Sequence, residues 1–143
     1  MPSLCDINLL LAICYDRHEH HPAAREWLER QDEKAVAICR ITQLGLLRLL
    51  SNSLVMLENV CTLAQAWVVY DTILSDERFT FFVEPDGLEQ FLRHYTSTGQ
   101  VSPKRWQDAY LAAFARTAKL RLATFDRGFK NYEGLRLTLL SGE

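Results

Sequence analysis

Short apolar runs of strand length alternate along this chain with longer stretches in which apolar residues recur every three or four positions. Ser3-Leu4-Cys5 reads as a short buried strand ending at Asp6, and Ile7 to Tyr15 is apolar at too many positions for strand alternation, so it suits a helix packed on a sheet. His21-Pro22 opens a second helix with Ala24, Trp27 and Leu28 on one face. Ala35 to Cys39 is a continuous apolar run, as expected of a parallel strand covered on both sides. Thr42 is placed to cap a third helix whose Leu46, Leu47, Leu49 and Leu50 form a wide stripe, stopped by Ser51-Asn52-Ser53. Thr62 caps a fourth, with Leu63, Ala66, Trp67, Tyr70, Ile73 and Leu74 at helical spacing.

Phe79 to Val83 is aromatic and β-branched enough for a strand, and Pro85-Asp86-Gly87 turns it into a helix carrying Leu88, Phe91, Leu92 and Tyr95 that ends at Gly99. Ser102-Pro103 begins another helix running through Trp106 and Asp108 towards Lys119. Leu120 to Thr124 is a strand that stops before Asp126, and Leu135 to Leu140 supplies a last edge strand. Strands separated by helices imply right-handed crossovers, hence an α/β fold with a mostly parallel sheet and helices on both faces. Ligands in such sheets bind at the carboxyl ends of strands, which is where Asp6 and Asp126 fall, with Asp108 on the helix that feeds the second of those strands.

These three acids sit among apolar residues, where a charge is costly unless something positive meets it, and no adjacent Lys or Arg is aimed at all three. A hard divalent cation, Mg2+ or Mn2+, answers that need through oxygen ligands and points to phosphodiester chemistry. Composition agrees: 143 residues, 48% hydrophobic and 24% charged, are ordinary for one globular domain over 1–143. The net charge of −2 hides an asymmetry, because residues 101–143 carry eight Lys plus Arg against four acids and the rest carries eight against fourteen. A basic C-terminal third beside the acids suits an anionic polymer. Cys5, Cys14, Cys39 and Cys61 are far apart and mostly in apolar runs, which fits reduced thiols in a cytoplasmic protein. Leu9 to Cys14 is too short to span a bilayer and follows no basic leader, so no membrane association is expected.

Five segments together carry a resemblance: Asp6-Ile7-Asn8; His21, Ala24, Trp27 and Leu28; Ile41-Thr42-Gln43-Leu44-Gly45-Leu46-Leu47-Arg48; Asp108-Ala109 with Leu111-Ala112-Ala113; and Thr124, Asp126 and Phe129. In that order and spacing the chain resembles the PIN-domain ribonuclease toxins of the VapC family, from type II toxin-antitoxin systems. The resemblance implies a Rossmann-like fold, Mg2+- or Mn2+-dependent endoribonuclease activity, a homodimer, and a VapB-type antitoxin that occupies the active-site groove. Carried over, the metal-binding and catalytic acids fall on Asp6, Asp108 and Asp126, with Asn8, Thr42, Gln43 and Thr124 in support. The family's fourth acidic position, usually Glu, is placed on Gln43, which leaves three acids and implies weaker metal binding. The products implied are a 5′-phosphate and a 3′-hydroxyl. Arg105, Arg127 and Lys130 lie next to the acids and are candidates to hold RNA phosphates.

Rival readings are weaker. A haloacid-dehalogenase-like phosphatase needs a second Asp two residues after the first, where this chain has Asn8. A response-regulator receiver needs paired acids near the N-terminus and a phosphoacceptor after a central strand. No phosphate-binding Gly-Lys loop or Ser nucleophile elbow is present. His18, His20 and His21 are close but not at a ligand spacing on one helix face, and His21 reads as a cap for the helix opened by Pro22. Trp27, Trp67 and Trp106 read as core or dimer-interface residues rather than base-stacking ones. The rival from another class is a catalytically weak PIN domain that binds RNA or protein, argued from Gln43 alone.

Overall fold

The fold is taken from a computed structural model, which describes residues 1–141; the last two residues of the expected domain lie outside the described ones. Strand β1 (Ser3–Cys5) leads into helix α1 (Ile7–Cys14) and then α2 (His21–Glu29). Strand β2 (Val36–Ile38) is followed by α3 (Arg40–Leu50), the short α4 (Ser53–Met56) and α5 (Leu63–Ser75). Next come β3 (Phe79–Phe81), α6 (Leu88–Thr96), α7 (Arg105–Ala118), β4 (Arg121–Thr124), a 3₁₀ turn over Arg127–Asn131, and β5 (Leu137–Leu139). The strands lie in the order β3-β2-β1-β4-β5, and every pairing is parallel.

A fully parallel sheet must be covered on both faces, and the apolar runs of the strands supply both cores. Cys5, Val36, Ile38 and Ala123 face a layer built from α1, α2, α3 and α5, with Leu10, Leu28, Leu46 and Tyr70 packed there. Leu4, Ala37 and Leu122 face the other way, onto α6 and α7 through Tyr95, Leu111 and Phe114. The period-2 alternation within strands only three or four residues long thus serves two cores at once. β1 sits centrally, between β2 and β4, and the chain leaves its carboxyl end at Asp6, directly beside the end of β4.

Helix boundaries depart from the expected ones where side chains compete for backbone groups. Thr42 is not the N-cap of α3: Cys39 holds that position, and Thr42, three residues on, reaches back with its hydroxyl to accept from the Cys39 N–H at 2.9 Å. His21 likewise is not a cap but the first residue of α2, and its Nδ1 donates instead to the Ala12 carbonyl at 2.6 Å. Thr62 does cap α5, in a reciprocal arrangement with Gln65. Asn52, expected to mark a stop, accepts from the Leu54 N–H and starts α4. α6 ends at Thr96 rather than Gly99, with the Thr96 hydroxyl donating to the Leu92 carbonyl. α7 begins at Arg105, after a turn closed from the Arg105 N–H to the Ser102 carbonyl. β3 stops at Phe81, the last ladder bond being Phe82 N–H to Ile38 carbonyl, and Val83 is exposed. Trp27 is core, whereas Trp67 is 47% and Trp106 62% exposed. All four cysteines are free, with Cys5 and Cys39 fully buried. Among the described residues no single helix is long and apolar enough to cross a membrane.

Close approach of α1 and α3 depends on Gly45. A Cβ built there would stand 2.3 Å from Cδ1 and 2.7 Å from Cγ1 of Ile7, the first residue after Asp6. Gly45→Ala must therefore push Ile7 aside or separate the helices, with an expected loss of about 1–3 kcal/mol. A lowered urea midpoint with unchanged slope is the expected result, and an unshifted midpoint would show that Ile7 yields freely.

Candidate active site

Four chain segments meet at the carboxyl end of the central strands. Asp6 follows β1 and is the N-cap of α1: its Oδ1 accepts from the Ile7 N–H at 2.7 Å. Its other oxygen accepts from the Thr124 hydroxyl at 2.6 Å. The same Thr124 oxygen accepts from the backbone N–H of Asp126 at 2.9 Å. One buried hydroxyl at the end of β4 therefore ties the first acid to the turn that carries the third. Asp126 in turn caps the 3₁₀ turn, accepting from the Gly128 N–H at 2.8 Å. Asp108 comes from the first turn of α7 on the opposite wall.

These residues line a cleft of about 490 Å3, with Asp6, Asn8, Arg48, Lys104, Asp108 and Asp126 among its walls. The sequence-predicted acids are thus brought together, with Asn8 exposed at the rim and Thr124 beneath them. Thr42 and Gln43 are not in the cleft walls. On α3 the cleft-facing positions are Gly45, Arg48 and Leu49, related by three and four residues. Gln43 stands two residues before Gly45, about 200° around the helix, and is buried where its amide oxygen accepts from Arg40 at 2.7 Å. The position facing the acids from α3 is therefore Gly45, and the placing of the family's fourth acidic position on Gln43 is corrected on that ground. Arg127 and Lys130 are exposed but off the cleft walls, on the 3₁₀ turn. Arg105 lies closer: its charge acts on Asp108 while its guanidinium sits over the Tyr132 ring. Arg48 and Lys104 are the cleft-lining cations that sequence reasoning missed. Arg48 carried a signal, being three residues after Gly45 on one helical face.

Electrostatics of the cleft are those of crowded like charges. Burial raises the Asp6 carboxyl, the Thr124 and Ile7 hydrogen bonds oppose that shift, and the nearby Asp126 charge adds to it. Asp108 is pushed up to about 6, first by burial and then by Asp6 and Asp126, with Arg105 and Lys104 acting the other way. Among the described residues none of the three acids forms an ion pair. Nor, among these residues, do three His, Cys, Asp or Glu side chains stand close enough to enclose a metal ion as a set. The donor chemistry nevertheless fits a hard cation: each carboxylate keeps lone pairs free towards an open cleft, and Mg2+ is held by one or two carboxylates with waters and phosphate rather than by a closed protein cage.

With the geometry in place, likeness to known proteins becomes specific. The PIN domain family model matches residues 4–135, which include all three acids. The chain belongs to the PIN domain family. Within it, this PIN domain is 42% identical to Ribonuclease VapC41 of Mycobacterium tuberculosis, over 96% of this chain and 98% of that protein. It is 34% identical to Ribonuclease VapC29 of the same organism, over 94% and 92%. Its backbone superposes on VapBC2 from Rickettsia felis, solved bound to a DNA fragment from their promoter, with a TM-score of 0.71 at 16% identity, covering 99% of this chain and all of that one. The two sequence relatives make this a PIN domain of the VapC family.

Asp108 titrates between its unfolded value near 3.8 and about 6, so the folded protein holds that proton more tightly than the unfolded chain. Its contribution to stability is therefore greatest when protonated and is lost as pH rises through that interval. In chelator-treated protein, Asp108→Asn should melt above the wild type at pH 7, and the gap should close at pH 4. A gap independent of pH would show that the crowding of charges is relieved in solution. Gln43→Glu provides a second check. Because that side chain meets Arg40 rather than the acids, the variant should keep the wild-type response to Mn2+, whether read by melting temperature or by RNA cleavage. A response moved to lower Mn2+ would return Gln43 to the cleft.

Proposed function

We propose that this protein is the toxin of a type II toxin-antitoxin pair and acts as a Mg2+- or Mn2+-dependent endoribonuclease. The observation that carries the reading is the meeting of Asp6, Asp108 and Asp126 in one open cleft with no ion-pair partner among the described residues, in a chain 42% identical to a named ribonuclease over nearly its whole length. Asp6, Asp108 and Asp126 would hold the cation, which when bound lowers the pKa of an attacking water and offsets charge on the phosphoryl oxygens.

The protein's own side chains do the rest. Asp6 is fixed on both oxygens, by the Ile7 N–H and the Thr124 hydroxyl, so its remaining lone pairs point one way without reorganisation. Thr124 holds the Asp126 backbone at the same time and so sets the spacing of the two acids. Asp108, with a carboxyl near 6, is largely ionised at neutral pH and becomes fully so once positive charge enters the cleft. Arg48 and Lys104 line the same cleft and would meet phosphates on either side of the bond to be cut. Cleavage would leave a 5′-phosphate and a 3′-hydroxyl.

A VapB-type antitoxin as partner is supported by the likeness to the VapBC2 complex. A homodimer and a cytoplasmic location belong to the same reading. The weaker alternative, a binding module without catalysis, rests on Gln43, whose amide meets Arg40.

Purified protein should cut single-stranded RNA with added Mg2+ or Mn2+ and not after chelation, and its expression without a partner should arrest bacterial growth. Asp6→Asn or Asp108→Asn should lower the cleavage rate by about two orders of magnitude or more while leaving the circular dichroism spectrum intact. Full activity in a folded Asp108→Asn protein would overturn the assignment.

A further inference from the structure

Trp106 presents a large aromatic side chain to solvent close to the acidic cleft. The residue is 62% exposed. Among the described residues it makes no aromatic, cation–π or hydrogen-bond contact, unlike Trp67, whose ring meets Tyr70 edge-on. It stands between two shallow grooves at the junction of α6 and α7. One, of about 340 Å3, is walled by Gln100, Val101, Pro103 and Arg105; the other, of about 440 Å3, by Leu92, Arg93 and Thr96. Val101 is 98% exposed, so indole, valine and proline form a small apolar surface flanked by the Arg105 guanidinium on one side and by Arg93, ion-paired with Glu89, on the other.

Pro103 belongs to two surfaces. It lines the groove beside Trp106, and it also lines the acidic cleft together with Lys104, Gln107 and Asp108. The two depressions therefore adjoin at the start of α7. Trp106 and Asp108 are two residues apart, about 200° around the helix, so a ligand touching both must turn around that helix end. A single-stranded nucleic acid does this readily, with its phosphates following the cations and a base splayed out onto an aromatic face. The surroundings select for such a ligand. Lys104 and Arg105 at the start of α7 match a polyanion, and the exposed indole beside Val101 and Pro103 offers a flat apolar face to a base.

We propose that Trp106 is a stacking platform for a base of single-stranded RNA, one or a few nucleotides from the phosphate held at Asp6, Asp108 and Asp126, and that it positions the strand for cleavage. This rests on the ribonuclease reading for its catalytic consequence but not for its binding. Stacking adds affinity common to substrate and transition state, so its loss should appear in KM more than in kcat.

The test uses a short fluorescein-labelled single-stranded oligoribonucleotide of mixed sequence. Binding is measured by anisotropy to full-length Asp108→Asn protein with and without Trp106→Ala or Trp106→Phe. Trp106→Ala should weaken binding roughly 5- to 100-fold, and Trp106→Phe by a smaller factor, because any flat ring retains part of the stacking. In the cleaving protein Trp106→Ala should raise KM by a similar factor with kcat changed less than about twofold. Indole fluorescence should be quenched by the RNA in wild type but not in Trp106→Phe. Unchanged affinity in a folded Trp106→Ala protein overturns the proposal, as does a failure of the wild type to bind the oligoribonucleotide. So does a change confined to sedimentation behaviour, which would assign the ring to contact between two copies of the chain. Normal Trp106-dependent binding with no cleavage in Mg2+ or Mn2+ would instead overturn the ribonuclease reading and leave the stacking platform standing.

Discussion

One hydroxyl group, that of Thr124, sits at the junction on which the candidate site depends. It donates to Asp6 at the end of β1 and accepts from the backbone of Asp126 beyond β4, so two neighbouring strand ends are locked at a fixed spacing. Thr124 is fully buried, and a buried hydroxyl must satisfy its own hydrogen bonds. The site is therefore shaped by the same requirement that governs any protein interior. The carboxylate that receives this bond is oriented before any ligand arrives.

Crowding three acids works against stability and must be supported elsewhere. Asp108 illustrates the cost, since burial and its two acidic neighbours raise its carboxyl to about 6. Support comes from the two cores on either face of the parallel sheet, where residues such as Leu4, Leu10, Ile38, Phe114 and Leu122 are wholly buried. Gly45 adds a geometric condition, because only the absence of a Cβ lets α3 come against Ile7. That closeness brings Arg48 and Leu49 to the cleft wall beside Asn8 and opposite Lys104. Acid, glycine and cation thus belong to one arrangement in which α1, α3 and α7 converge on the ends of β1 and β4.

The cations near the acids divide by what they touch. Arg40 is spent on Gln43 and the Phe81 ring, and Arg116 lies over Phe91. Arg48 and Lys104 line the acidic cleft with no ion pair among the described residues, whereas Arg105 lines the groove beside Trp106 and acts on Asp108 through its charge. The excess of basic residues in the last third of the chain is therefore only partly directed at the cleft, with Arg121 and Arg136 lying on exposed positions elsewhere.

Much of this was legible in the amino-acid sequence because it depends on local order. Apolar runs of strand length separated by helical periodicity determined a parallel α/β sheet, and Asp6 and Asp126 follow strands whatever their exact bounds. Thr62 with Gln65 three residues later marked a true helix start for the same local reason. Sequence could not decide which face of a helix meets the cleft. Gln43 and Gly45 are two residues apart, and only the packing of α3 against α1 through Ile7 turns Gly45 towards the acids and Gln43 towards Arg40. Thr42 lost its capping role because the chain bends one turn earlier, at Cys39, when β2 ends against its neighbours. Of the two readings that its aliphatic neighbours allow for Trp106, core or dimer interface, the first fails, because α7 buries the face carrying Leu111 and Phe114 and leaves the indole outside. Residue order along the chain selects elements and their ends, whereas the rotation of each helix about its own axis is chosen by the partner surface it packs on, and that surface exists only in the folded protein.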